Sequence, residues 1–135
     1  MDRMGAGSPP KAHTVITPQQ LEQASDTVSQ IYMDESVKEL ILNVVFATRE
    51  PKRYALEDVA DYIELGASPR ATLALTQAAR AHAFLRHRGF VLPDDVKAVA
   101  WDVLRHRITL SYEADADEFT TEKLIQRIFE RIQVR

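Results

Sequence analysis

The residues best suited to bind something lie in the run ELGASPRATLAL, Glu64 to Leu75. Ser68, Pro69 and Arg70 there precede an alanine-rich apolar run that reads as a helix. A helix N-terminus presents unpaired N–H groups and a partial positive charge. An arginine in the first turn is locally unfavourable unless an anion sits between the two. The Ser68 hydroxyl, the first N–H groups and the planar donor fork of Arg70 together suit phosphate oxygens. The plainer reading makes Arg70 a surface arginine after an ordinary cap, and the residues by themselves favour it.

Other chemistry is poorly supported. The sequence has no G-x-x-x-x-G-K-[ST] phosphate loop, no G-x-G-x-x-G and no H-E-x-x-H. His82 and His87 are five residues apart, about 140° around a helix, so they cannot share a metal on one face. His82, His87 and His106 read as solvated or hydrogen-bonded surface residues, and no metal site is expected. The acids of EADADE, Glu113 to Glu118, lack the glycine of a calcium loop and read as a solvated loop. Trp101 reads as core-edge packing. Arg86, Arg88, Arg105 and Arg107 lie near helix C-termini, where the dipole alone explains them. An autonomous enzyme is not expected.

Composition bounds the rest. The 135 residues, 45% hydrophobic, supply one ordinary core, and the net charge of −3 argues against a nucleic-acid binder. The absence of cysteine excludes disulfides and thiolate zinc sites. No apolar run approaches the roughly 20 residues of a membrane span, so a soluble, cytoplasmic protein is the expectation. Charge is uneven: residues 68–107 hold seven Lys/Arg against three acids. A basic middle on an acidic chain suggests a local anionic partner.

These side chains need elements to hold them. Residues 1–14, rich in Pro and Gly, read as a disordered lead or a leftover of cloning, and 15–135 as one domain. Thr17, Pro18 and Gln20 form a capping box, with Ile16 and Leu21 as its hydrophobic staple and Leu21, Ala24, Val28 and Ile31 on one face. Asp34 caps a second helix that Pro51 ends by position 50. A short helix is expected at 56–64. Ser68 caps a long helix over 69–88, with Pro69 at N1 and Gly89 at C′. A fourth starts at Pro93 with Asp94 and Asp95 in its first turn, and a last one follows Thr120. Ile108, Leu110 and Tyr112 alternate as in a short strand. The pattern predicts an all-α, antiparallel bundle of about five helices, with room for a short strand pair.

The segment from Gly66 to Ala114, containing GASPRA, F-V-x-P-x-D-V and V-L-x-H-R in that order, resembles the C-terminal helical lid of MoxR-type AAA+ ATPases. MDESVKELILNVVFATR, Met33 to Arg49, resembles the lid helix that ends in A-T-R. The likeness runs from about Ile16 to Val134. His87 departs from it, because that family commonly has glycine before the residue matching Arg88.

The resemblance implies an AAA+ lid whose ATP-binding core, with its phosphate loop and Mg²⁺-binding acids, is not in this sequence. It implies that Arg70 is the second sensor, reaching the γ-phosphate of ATP across the core–lid cleft. Gly66, Ala67, Ser68 and Pro69 would keep the backbone near the nucleotide. The lid would rotate on hydrolysis and pass that motion round a ring, usually a hexamer, in chaperone-like work with von Willebrand factor A domain proteins. ATP and Mg²⁺ belong to the intact parent, and none is expected on the lid alone. The rival expectation is a free-standing helical module that binds an anionic partner through Arg80, Arg86 and Arg88.

Overall fold

The computed structural model describes residues 12–132. The lead expected at 1–14 and the end of the likeness at Val134 therefore lie largely outside the described residues. Helix α1, Pro18–Ser29, starts at the predicted capping box: Thr17 Oγ1 accepts from the Gln20 N–H at 3.2 Å, and Gln20 Oε1 accepts from the Thr17 N–H at 2.8 Å. Its staple does not close, since Ile16 and Leu21 stay exposed and the helix buries none of its residues. Only Ile31, beyond the helix end, reaches the core from the predicted face.

Helix α2, Glu35–Ala47, is the central element. Asp34 caps it, and Val37, Leu40, Ile41, Val44 and Val45 are buried at helical spacing. It ends at Ala47, three residues before the expected limit, with Thr48 fully buried as its C-cap. Two 3₁₀ turns, Pro51–Tyr54 and Glu57–Tyr62, take the place of the short helix expected at 56–64 and lead into β1, Ile63–Leu65.

Helix α3, Ala71–Leu85, packs most extensively on α4, Pro93–Leu104. Ala71, Leu75, Ala79 and Ala83 form its buried file at four-residue spacing, and three of the four are small enough to let the facing helix approach. The expected helix over 69–88 is thus shorter at both ends. At its C-terminus the left-handed residue is His87, φ 55°, not Gly89. Arg88 N–H donates to Ala83 O and His87 N–H to Phe84 O, the two bonds of a Schellman motif. That is the position at which the resembling family commonly has glycine, which is the residue this conformation favours. Beyond it Tyr32 and Phe90 pair as a parallel bridge, so the segment after Gly89 is extended as expected.

β2 is only Thr109–Leu110 and pairs antiparallel with β1. Tyr112 is not in the strand; it opens α5, Tyr112–Ala116, and is exposed. The expected acidic loop is therefore partly helical, because the Ser111 hydroxyl accepts from the Ala114 N–H and caps a turn. Helix α6, Thr121–Arg131, starts at Thr120 and buries Leu124, Ile125 and Ile128 against α2 and α4. Trp101 stacks on Phe129 with centroids 5.8 Å apart, at the core edge as read. The fold is mostly helical with one small antiparallel strand pair, in line with the predicted all-α bundle. Among the described residues, no helix is long and apolar enough to cross a membrane.

Candidate anion-binding site

The Ser68–Arg70 turn is held from behind by the end of α2. The Thr48 hydroxyl donates to Val45 O at 2.7 Å and accepts from the Ala67 N–H at 3.0 Å, and Arg49 donates to Ala67 O at 3.2 Å. Gly66 lies hard against the same backbone. A Cβ there would sit 2.2 Å from Thr48 O and 2.9 Å from Arg49 N. Ala67 is fully buried, whereas Ser68, Pro69 and Arg70 are exposed. Of the five residues expected near a ligand, Gly66 and Ala67 therefore serve as the anchor, and the other three face outward.

The start of α3 differs from the expected cap. Regular helix begins at Ala71, with Arg70 already in right-handed helical geometry. The Ser68 hydroxyl accepts from the Arg70 N–H at 3.3 Å. The N–H groups of Ala71, Thr72 and Leu73 each bond to the carbonyl three residues back, at 2.8, 3.1 and 3.1 Å. The first turn is closed on itself in 3₁₀ fashion, and Pro69 has no N–H to offer. The expected free backbone donors are thus already engaged. The polar group that the turn still presents to solvent is the guanidinium of Arg70.

Arg70 opens onto a cavity of about 450 Å³ lined by Arg49, Leu65, Gly66, Ser68, Pro69, Arg70, Ala71, Ala74 and Arg107. No carboxylate lines it. Among the described residues, none of its three arginines is in an ion pair, and neither are Arg80 and Arg86, whereas Arg53, Arg88, Arg105 and Arg127 all are. Arg107 donates to Val103 O and contacts His106 Nε2.

The opposite end of α3 is fixed by a cluster that the sequence reading missed. Asp95 is buried, with 1% of its surface exposed. Arg88 grips both its oxygens, at 2.5 and 2.7 Å, the Leu92 N–H donates at 2.7 Å, and His82 Nδ1 lies 2.6 Å away. Nδ1 is then the protonated nitrogen, because a carboxylate only accepts. Burial pushes the Asp95 carboxyl up, but the Arg88 fork, the Leu92 N–H and His82 outweigh it and hold the group at about 2. Arg88 is therefore a structural clamp between α3 and α4, not a cation answering a helix dipole. The signal available in the sequence was three separated residues, His82, Arg88 and Asp95, and nothing in helical periodicity joins them.

The clamp also reduces the basic face of the rival module, since Arg88 is committed internally. His87 is accounted for by its turn. No group of three or more His, Cys, Asp or Glu among the described residues could hold a metal ion.

Residues 55–128 match the model of the AAA lid domain family. The chain is 38% identical to Chaperone MoxR1 of Mycobacterium tuberculosis over 130 residues, covering 96% of this chain and 34% of that protein. It is 39% identical to Protein MoxR of Paracoccus denitrificans over 92 residues, 65% of this chain and 27% of that one. A crystal structure of a protein assigned as an ATPase, from Cytophaga hutchinsonii, superposes with a TM-score of 0.79 at 42% identity, over 82% of this chain and 33% of the other. The chain spans between about a fifth and a third of the length of the curated relatives it matches. With the helical fold, the A-T-R and GASPRA segments joined at Thr48–Ala67, and these matches, the chain belongs to the AAA lid domain family, as the C-terminal lid of a MoxR-family AAA+ ATPase.

Proposed function

We propose that this lid closes over ATP held by the core domain of its parent and presents Arg70 to the γ-phosphate as the second sensor. The observation that carries the reading is an exposed, carboxylate-free arginine on a turn whose backbone is anchored through Gly66 and Ala67 to Thr48. A guanidinium gains most from a phosphate when it is already positioned, since less freedom is lost on contact. ATP and Mg²⁺ would be bound chiefly by the core. The lid alone would bind ATP weakly or not at all.

With ATP present, charge-assisted hydrogen bonds draw lid and core together, and hydrolysis weakens them. The lid then rotates as a body. The Asp95 clamp and the shared α3–α4 core make that body stiff, so motion at Arg70 is carried to the far end of α3, about 22 Å away. In a ring, usually a hexamer, this rotation would reach neighbouring subunits and drive chaperone-like remodelling of partners with von Willebrand factor A domains, in the cytoplasm. The test is Arg70→Ala in the protein that joins this lid to its core. Turnover at saturating ATP should fall at least about tenfold, the worth of one charge-assisted bond, with the fold intact by circular dichroism. Unchanged turnover would remove the sensor role.

A further inference from the structure

We infer that Arg49 and Arg107 form, together with Arg70, a three-guanidinium cradle for the phosphate chain of the nucleotide. This inference rests on the proposed nucleotide-facing role of the lid. The three residues are far apart in sequence and arrive from three helix ends. Arg49 follows the C-terminus of α2, Arg70 precedes α3, and Arg107 follows the C-terminus of α4. All three line the same cavity.

Helix dipoles explain two of the three positions at most. A cation suits the C-terminal ends of α2 and α4, but Arg70 sits at the positive end of α3. Nor do dipoles explain why the three share one cavity without a carboxylate among its walls. Like charges at close quarters repel, and the acids of that region line the adjoining hollow instead, where Glu50, Asp61 and Glu64 are balanced by Lys52, Arg53 and the shared Arg49. The positive field is thus concentrated on the Arg70 side. An anion of high charge density would relieve the repulsion.

The hydrogen bonds already made favour such a ligand. Arg49 spends one N–H on Ala67 O, and Arg107 uses its Nη1 towards Val103 O and His106 Nε2. Each guanidinium has five N–H donors. Both forks are thereby oriented while most of their donors stay available. Phosphate oxygens accept bidentate bonds from this geometry better than from an ammonium. Three such groups match a chain of phosphates rather than a single carboxylate.

Two experiments test the cradle. In the protein joined to its core, Arg107→Gln and Arg49→Gln should each lower kcat/KM for ATP about tenfold. Arg107→Lys, which keeps the charge but not the fork, should recover part of the loss. In this chain alone, the arginine Nε–Hε signals should be followed by NMR during titration with Mg²⁺-free tripolyphosphate. Those of Arg49, Arg70 and Arg107 should move together while Arg80 and Arg86 stay. If Arg70→Ala loses turnover but both glutamine variants match wild type, the cradle is overturned and the sensor role stands. If tripolyphosphate shifts all surface arginines alike, the cradle is overturned too. If the three signals move together but Arg70→Ala turns over normally, the three arginines bind phosphates and the nucleotide reading on which the inference rests falls.

Discussion

Replacing Gly66 with alanine should destabilise the lid by about 2–4 kcal/mol. The new methyl carbon would sit 2.2 Å from Thr48 O, 2.6 Å from Thr48 C and 2.9 Å from Arg49 N. All three are backbone atoms, so no side chain can rotate away. Ordinary carbon contacts need about 3.5 Å or more, so the strand leaving β1 must retreat by about 1 Å. That movement breaks the Ala67 N–H bond to the buried Thr48 hydroxyl and the Arg49 bond to Ala67 O. Overpacking costs about 1–3 kcal/mol and each lost hydrogen bond about 1 kcal/mol. The stiffer unfolded chain returns up to about 1 kcal/mol. A net of about 2–4 kcal/mol lowers the melting temperature by about 10 °C for a domain of this size. Urea unfolding of this chain by circular dichroism measures it. Gly89→Ala is the internal control, since nothing lies within 4 Å of its added Cβ and its φ is ordinary. A loss below about 0.5 kcal/mol at Gly66, or an equal loss at Gly89, would refute the close-approach reasoning.

Other outcomes follow from the α3–α4 clamp. Asp95 is held at about 2, below its unfolded value, so its contribution is present above the unfolded pKa of about 4 and is lost as pH falls from there towards 2. Urea midpoints should drop across that window in wild type. Asp95→Ala, which strands a half-buried Arg88, should cost about 3 kcal/mol at pH 7 and flatten the drop. At the left-handed C′ position, His87→Gly should raise stability by about 1 kcal/mol, read as a higher melting temperature.

Local signals were legible where a side chain acts on its own neighbours. Thr17, Asp34 and Thr120 cap their helices, and Pro93 opens α4, as their types and spacing require. Ser111 carried the same kind of signal for α5 and was overlooked beneath the acidic run. His87 hid the end of α3, because a left-handed residue is read from glycine or asparagine and not from histidine. The staple at Ile16 and Leu21 has the right spacing, yet spacing cannot say whether anything lies opposite. Long-range convergence was the least legible. Arg70 stood out as odd in a first helical turn, whereas Arg107 had a sufficient local explanation and Arg49 only ended the A-T-R segment, and their shared cavity exists only once α2, α3 and α4 are packed.

The roles proposed for this lid turn on contact between Arg70 and the nucleotide. The direct measurement is a crystal structure of the protein that joins this lid to its core, bound to a slowly hydrolysed ATP analogue and Mg²⁺. A guanidinium nitrogen of Arg70 should lie about 2.7–2.9 Å from a γ-phosphate oxygen. Arg70 turned to solvent or paired with a carboxylate, with the lid closed over a fully occupied nucleotide site, would contradict the proposed contact.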